Sequence, residues 1–264
     1  LEDLASCPPS GWGRSFDVIT RVFDLRLRFV YGDAQRPVAP YYIFSAPSLA
    51  LTEQVRDLFK IVGQGQVFEA KRLVRGTYDI VAYWPPQLEE NGEEVGRKTV
   101  DISTANVGTV EGTVVLALRD VSFVVVDRQG RTVKDVEVDI APALMGNIER
   151  RPDGVVTILE IPDGRTYTIT IAVRSFGQTA SATVRDTPAG LQDRGSVTVP
   201  MDDVILNVVD FDGRPVVGAE ITFAGQPMGF TDSQGVIIIG QVPLDNDYAI
   251  SVSKEGTEIG SDRV

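Results

Sequence analysis

The chain has no histidine and a single cysteine, Cys7. Without histidine, Ser-His and Cys-His nucleophilic sites, histidine-ligated zinc and the usual general base near neutral pH are all excluded. One cysteine excludes an internal disulfide. The tetrapeptide LASC, residues 4–7, superficially resembles a lipoprotein cleavage box, but Glu2 and Asp3 interrupt any apolar lead-in. No apolar run is long enough to span a bilayer. VGQGQV, residues 62–67, is too short for a phosphate-cradling loop and lacks its lysine. No Asn-x-Ser/Thr acceptor occurs. Basic residues are also short: 25 against 37 acids, a net charge of −12. A phosphate backbone would be repelled, so nucleic acid is not an expected partner.

What the chain does have is one phrase written twice. VVDRQGRTVKDVEVDI at 125–140 returns as VVDFDGRPVVGAEITF at 208–223, 83 residues on. Further along, Gly154, Pro162 and Tyr167 match Gly235, Pro243 and Tyr248, each pair 81 apart. A fixed period with matched turn residues marks a repeated supersecondary unit. A fainter copy lies upstream, in LRLRFVYGDAQRPVAPYYIF (25–44) and LVRGTYDIVAYW (73–84). The expected organisation is an N-terminal segment 1–23, then units at 24–119, 120–202 and 203–264.

Each unit reads as β. In LRLRFVY, residues 25–31, Leu25, Leu27, Phe29 and Tyr31 alternate with Arg26 and Arg28, the pattern of a half-buried strand. TYTITIAV and YAISVS alternate in the same way around Tyr167 and Tyr248. DRQG (127–130) and DFDG (210–213) carry Asp first and Gly last, as type I turns prefer. Many short strands between regular turns predict all-β sandwich domains. One helix is expected near 49–61 within the first unit. There Leu51, Val55, Leu58, Phe59 and Val62 fall on one face at helical spacing.

The pattern VVDFDGRPVVGAEITF, then TDSQG, then VPLDNDYAISV resembles the carboxypeptidase regulatory-like domain. That family is transthyretin-like and related to the B-type, Ig-like domains of collagen adhesins. The resemblance implies a seven-strand sandwich and an extracellular, cell-surface setting in a bacterium or archaeon; with the repeat, the expected architecture is three tandem Ig-like sandwiches with the helix inserted in the first. It implies no activity, since fold does not fix function. Some adhesin domains of this type carry a Lys–Asn isopeptide bond from the first strand. The first strands here, 121–126 and 204–209, contain no lysine, so no such bond is expected.

Candidate ligands are few. Asp202, Asp203, Asp210 and Asp212 are oxygen donors near turns and the candidate calcium site; the competing reading is that aspartates cap turns. No other cofactor is expected. Tyr83, Trp84, Pro85 and Pro86, with Tyr41 and Tyr42, are candidates for stacking on a sugar, or else they close the end of a core.

The third unit reads as one strand short. After the tyrosine strand the second unit has FGQTASATV (176–184) and a closing GSVTVP (195–200), whereas the third has only GTEIGSDRV (256–264). Upstream, SFDVITRVF at 15–23 is apolar yet assigned to no core. Its Phe16, Val18, Ile19, Val22 and Phe23 are the candidate assembly residues, a strand donated to a neighbour. Charge agrees: 14–36 holds five arginines against three aspartates, and 203–264 holds three bases against ten acids. The expected protein is no enzyme. It is a subunit of a homopolymer, a filament or an S-layer-like array; the alternative is an adhesin or glycan-binding accessory region of a larger secreted protein.

Overall fold

The structure, a computed structural model, describes residues 22–45, 61–85, 92–103, 108–142 and 148–264. The packed side chains fall into three clusters, drawn from Phe23–Leu118, Val121–Met201 and Val204–Val252, with Phe176 also packed against the third. Each cluster lies between two sheets.

Around the first cluster, one sheet holds β1 (Phe23–Tyr31), β2 (Arg36–Pro37), β5 (Val67–Leu73) and β8 (Thr109–Leu116). The other holds β3 (Tyr41–Ser45), β4 (Ile61–Gln64), β6 (Gly76–Trp84) and β7 (Glu93–Ile102). The alternation in the sequence decides which face of β1 is buried: Leu25, Leu27 and Phe29 are buried and Arg26 and Arg28 exposed.

The second cluster packs β11 (Ile148–Arg150), β12 (Val155–Pro162), β9 (Leu118–Val126) and β15 (Ser196–Thr198) against β10 (Val136–Ala141), β13 (Tyr167–Ser175) and β14 (Gln178–Asp186). The third packs the pair β16 (Met201–Asn207) and β19 (Val236–Pro243) against β18 (Gln226–Phe230), β17 (Glu220–Phe223), β20 (Ala249–Lys254) and β21 (Thr257–Arg263).

The repeat in the sequence is a repeat of hydrogen bonds. The hydroxyls of Tyr78, Tyr167 and Tyr248 donate to the carbonyls of Val74, Pro162 and Pro243 at 2.8, 3.3 and 2.7 Å. Burial pushes the Tyr167 hydroxyl up to about 12, so it keeps that proton at any ordinary pH. Asp127 Oδ1 accepts the N–H of Gln129 and Arg131, and Asp210 Oδ1 accepts those of Asp212 and Arg214. The DRQG and DFDG turns are therefore built alike.

The helix expected near 49–61 lies outside the described residues except at its end. Ile61, with Val62 beyond it, opens β4 and pairs with Phe44 and Ile43 of β3, so that end is strand. These are β-branched residues beside an available edge, and pairing prevails over helical spacing. The helix that is described, α1 (Pro188–Arg194), lies in the second unit. Thr187 caps it through Gly190 N–H, proline stands in its first turn, and Gly195 ends it at φ 66°. That is the regular start-and-stop chemistry of a helix.

Candidate functional site

In the first two sandwiches the first strand is closed by a parallel partner. β8 runs parallel to β1, with Val114 opposite Phe29 and Leu116 opposite Tyr31. β15 runs parallel to β9, with Val197 opposite Val125. The inward residues of these closing strands are core: Val114, Leu116, Val197 and Val199 are all nearly fully buried. Hydrogen bonds complete the second closure. Val124 N–H donates to Gly195 O, Val199 N–H to Val126 O, and Arg128 N–H to Met201 O.

β16 is the matching first strand of the third sandwich, and β19 is its one partner among the described residues. Val208 N–H donates to Gly235 O. Asn207 and Val209, one residue either side, therefore turn their backbone groups toward the other flank. That flank opens on a groove of about 630 Å³ between the β16 side, at Leu206 and Val208, and the β20–β21 side, at Ile250, Val252 and Ile259. Large apolar residues around it stand exposed: Ile205 60%, Val209 56%, Ile259 50%. In the second sandwich the residues matching the Ile205–Ile238 pair are Ser122 and Thr157, hydroxyl to hydroxyl at 2.9 Å. Where the closed sandwich is polar on its outer face, the open one is apolar. An unpaired strand edge beside apolar surface is a template for another strand.

A second feature repeats at the links between sandwiches. Asp24, Asp120 and Asp203 each accept, at Oδ1, the N–H of a bulged residue on the neighbouring strand: Arg72, Glu160 and Gln241, at 3.1, 3.0 and 3.3 Å. All three bulged residues are left-handed, with φ of 59°, 58° and 54°. Asp120 also takes the Arg36 guanidinium and the Tyr31 hydroxyl of the first sandwich. Asp203 takes the Arg131 guanidinium of the second, which also reaches Asp127 Oδ2 at 2.8 Å. Each arginine follows the glycine turn of one sandwich and grips the aspartate that opens the next.

Hydrogen bonding to Arg131 holds the Asp203 carboxyl below the usual carboxylate range. At Asp127 burial pushes the carboxyl up, but the Arg131 and Gln129 hydrogen bonds outweigh it and the net direction is down. A carboxyl with a depressed folded value adds stability above its unfolded value and loses it as pH falls through the folded one. Acid below the ordinary carboxylate range of about 4 should therefore release the link between the second and third sandwiches. The protection of the Gln241 amide, whose N–H rests on Asp203, relative to its unfolded exchange rate at the same pH is expected to fall there. Arg131→Ala should show the reduced protection already at pH 7; unchanged protection in that variant would contradict the account.

The sequence-derived candidates divide. Phe16, Val18, Ile19, Cys7 and Pro86 lie outside the described residues. Val22 is 43% exposed, whereas Phe23 is 4% exposed and belongs to its own chain's core. Phe23 pairs with Leu73 of β5, so this candidate assembly residue is occupied in the core of its own chain. Asp210 serves its own turn and Asp203 serves Arg131. Asp202 accepts from the side chain of Gln129 at 2.7 Å, and Asp212 lies 3.3 Å from Arg214. The aspartates weighed as calcium ligands or turn caps thus face donors of the protein, and no group of three or more acidic, histidine or cysteine side chains suited to a metal occurs among the described residues. Tyr41, Trp84 and Pro85 are buried. Tyr42 stacks on Phe29 at 5.4 Å. The aromatic cluster closes the first core.

No family model matches the chain, and no curated protein matches it. Solved structures do. A streptococcal ancillary pilin is 12% identical over 91% of this chain and 95% of its own, with a TM-score of 0.31. The major pilin subunit of Bacillus cereus is 12% identical over 92% and 95%, with a TM-score of 0.25. The shaft pilin of Lactobacillus rhamnosus GG is 9% identical over 68% and 97%, with a TM-score of 0.32. At these scores the likeness carries no argument, and the functional reading rests on the chain's own geometry.

Proposed function

We propose that the chain is a structural subunit of an extracellular cell-surface assembly, a thread or array in which sandwiches at 24–119, 120–202 and 203–264 follow one another head to tail. The open side of β16 is where the next molecule adds a strand. One observation carries this reading: two sandwiches close their first strand with a parallel partner, and the third presents the same strand beside an apolar groove. Strand addition would pair the edge and cover the groove in one step. The lack of histidine removes the common catalytic sites. Among the described residues no helix is long and apolar enough to cross a membrane. Repeating polar ties between sandwiches suit a load-carrying rod.

Sedimentation and negative-stain electron microscopy across a concentration series test the reading. Polymers that lengthen with concentration are expected. A monodisperse monomer at every concentration, with the amides of 205–209 protected from exchange, would overturn it.

A further inference from the structure

We propose that the contact between successive subunits copies the two junctions inside the chain, residue for residue; this rests on the head-to-tail reading above. Corresponding positions are set by one hydrogen bond present in all three sandwiches. Val38, Val133 and Val216 donate their N–H to the carbonyls of Phe29, Val125 and Val208 at 3.1, 2.9 and 2.9 Å. Seven residues before Phe29, Val125 and Val208 stand Val22, Leu118 and Met201. Leu118 is 4% exposed and belongs to the cluster of the sandwich before it, and Met201, 1% exposed, does the same. Among the described residues no sandwich precedes Val22, which is 43% exposed. Pro162 and Pro243, opposite Leu118 and Met201, are buried. Their counterpart Val74, marked by the tyrosine hydrogen bond, is 50% exposed. Among the described residues the top of the first sandwich thus has the apolar contact of an internal junction without its partner.

The open groove supplies that partner, and the spacing fixes the register. Four residues before Leu118 is Val114, opposite Phe29; four before Met201 is Val197, opposite Val125. Four before Val22 is Val18. Val18 of one subunit therefore lies opposite Val208 of the one before it, on a strand parallel to β16. Phe16 then faces Leu206 and turns inward with Val18. It falls where the other closing segments have Gly112 and Gly195. In the second sandwich α1 fills that flank with the buried Leu191; in the third the groove leaves the volume open. Ile19, out of step with the other apolar residues, turns outward opposite Val209, itself exposed.

The arginine–aspartate tie continues the same series. Arg36 grips Asp120 and Arg131 grips Asp203. The next arginine is Arg214, whose side chain is 76% exposed and lies 3.3 Å from Asp212. The next aspartate is Asp24 of the following subunit. It already sits in the bulge geometry of Asp120 and Asp203, and among the described residues no arginine guanidinium grips it. The first and third sandwiches hold the two halves of one tie.

Disulfide mapping in the Cys7→Ser background tests this. Single variants are mixed in pairs, so that a cross-link can form only between chains. Ser15→Cys mixed with Ile205→Cys, and Ile19→Cys mixed with Val209→Cys, are expected to give covalent dimers. Ser15→Cys with Val209→Cys, and Ile19→Cys with Ile205→Cys, should give none, because four residues along a strand separate those pairs by about 13 Å, beyond the ~7 Å reach of a disulfide. Cross-links in the swapped mixtures alone mean an antiparallel donor and overturn the copied junction while head-to-tail addition stands. Polymers without any of these cross-links mean a different donor, with the same consequence. Absence of polymers overturns the head-to-tail reading itself.

Discussion

Val18→Asp is expected to abolish polymerisation while leaving the melting temperature of the monomer unchanged. In the copied junction Val18 takes the place of Val114 and Val197, which are 1% and 4% exposed inside their cores. A carboxylate there would be driven into the apolar groove beside Val208, Ile250 and Val252 with no positive partner. Burial of an unpaired charge costs several kcal/mol, more than the Val side chain contributes. At about 1.4 kcal/mol per tenfold, addition of a subunit weakens by at least about a hundredfold. The monomer is indifferent, because in this account Val18 packs against no core of its own. Sedimentation velocity reads the first effect and thermal unfolding the second. Filaments of wild-type length from Val18→Asp would contradict the account, as would a monomer whose melting temperature collapses.

Gly235→Ala is expected to destabilise the third sandwich by about 3 kcal/mol and to weaken assembly with it. Gly235 has φ +74°, and a Cβ there would meet the Val208 carbonyl oxygen at 2.6 Å and the Val216 nitrogen at 3.1 Å. The left-handed backbone costs a non-glycine residue roughly 1–2 kcal/mol. Overpacking against backbone that cannot swing away adds roughly 1–3 kcal/mol. The same contact sets the position of Val208, since Val208 N–H donates to Gly235 O at 2.8 Å. Moving that carbonyl shifts the edge that receives the donor strand. The expected pattern is a fall in melting temperature together with a raised concentration for polymerisation. The matched Gly154, where a Cβ would lie 2.9 Å from the Val133 carbonyl oxygen, should show the same fall in stability with little effect on assembly. Its β9 edge is already closed by β15. Equal effects of Gly154→Ala and Gly235→Ala on assembly would count against the open edge as the site.

Much of this fold is legible in the sequence because sandwich cores are periodic. The alternation around Leu25 and Tyr167, the Asp-to-Gly turns and the 83-residue repeat each correspond to a physical requirement that the structure meets. That β16 has a single partner strand among the described residues can be compared with β9 of the second sandwich for the same reason, since the repeat aligns the two. Other features needed coordinates. Arg214 and Asp24 belong to one series, yet Phe29 and Val38 are nine residues apart where Val125 and Val133 are eight. That extra residue in the first turn hides Asp24 from alignment with Asp120 and Asp203. Asp203 was visible as an oxygen donor near a turn, but only geometry shows that its partner is Arg131 rather than a cation. The Thr187–Pro188 cap of α1 is a readable helix start set inside a run of strands. Val62 satisfied a helical pattern but sits on a strand, where a neighbouring edge decides more than spacing does.

The central claim is that the open side of β16 receives a strand from another copy of the chain. Electron cryo-microscopy of the assembled material tests it most directly. The account predicts density parallel to β16, traceable into β1 of the next subunit, with Val18 beside Val208 and Arg214 at Asp24. A polymer in which the third sandwich is closed by its own chain, or in which the groove stays empty, would contradict it.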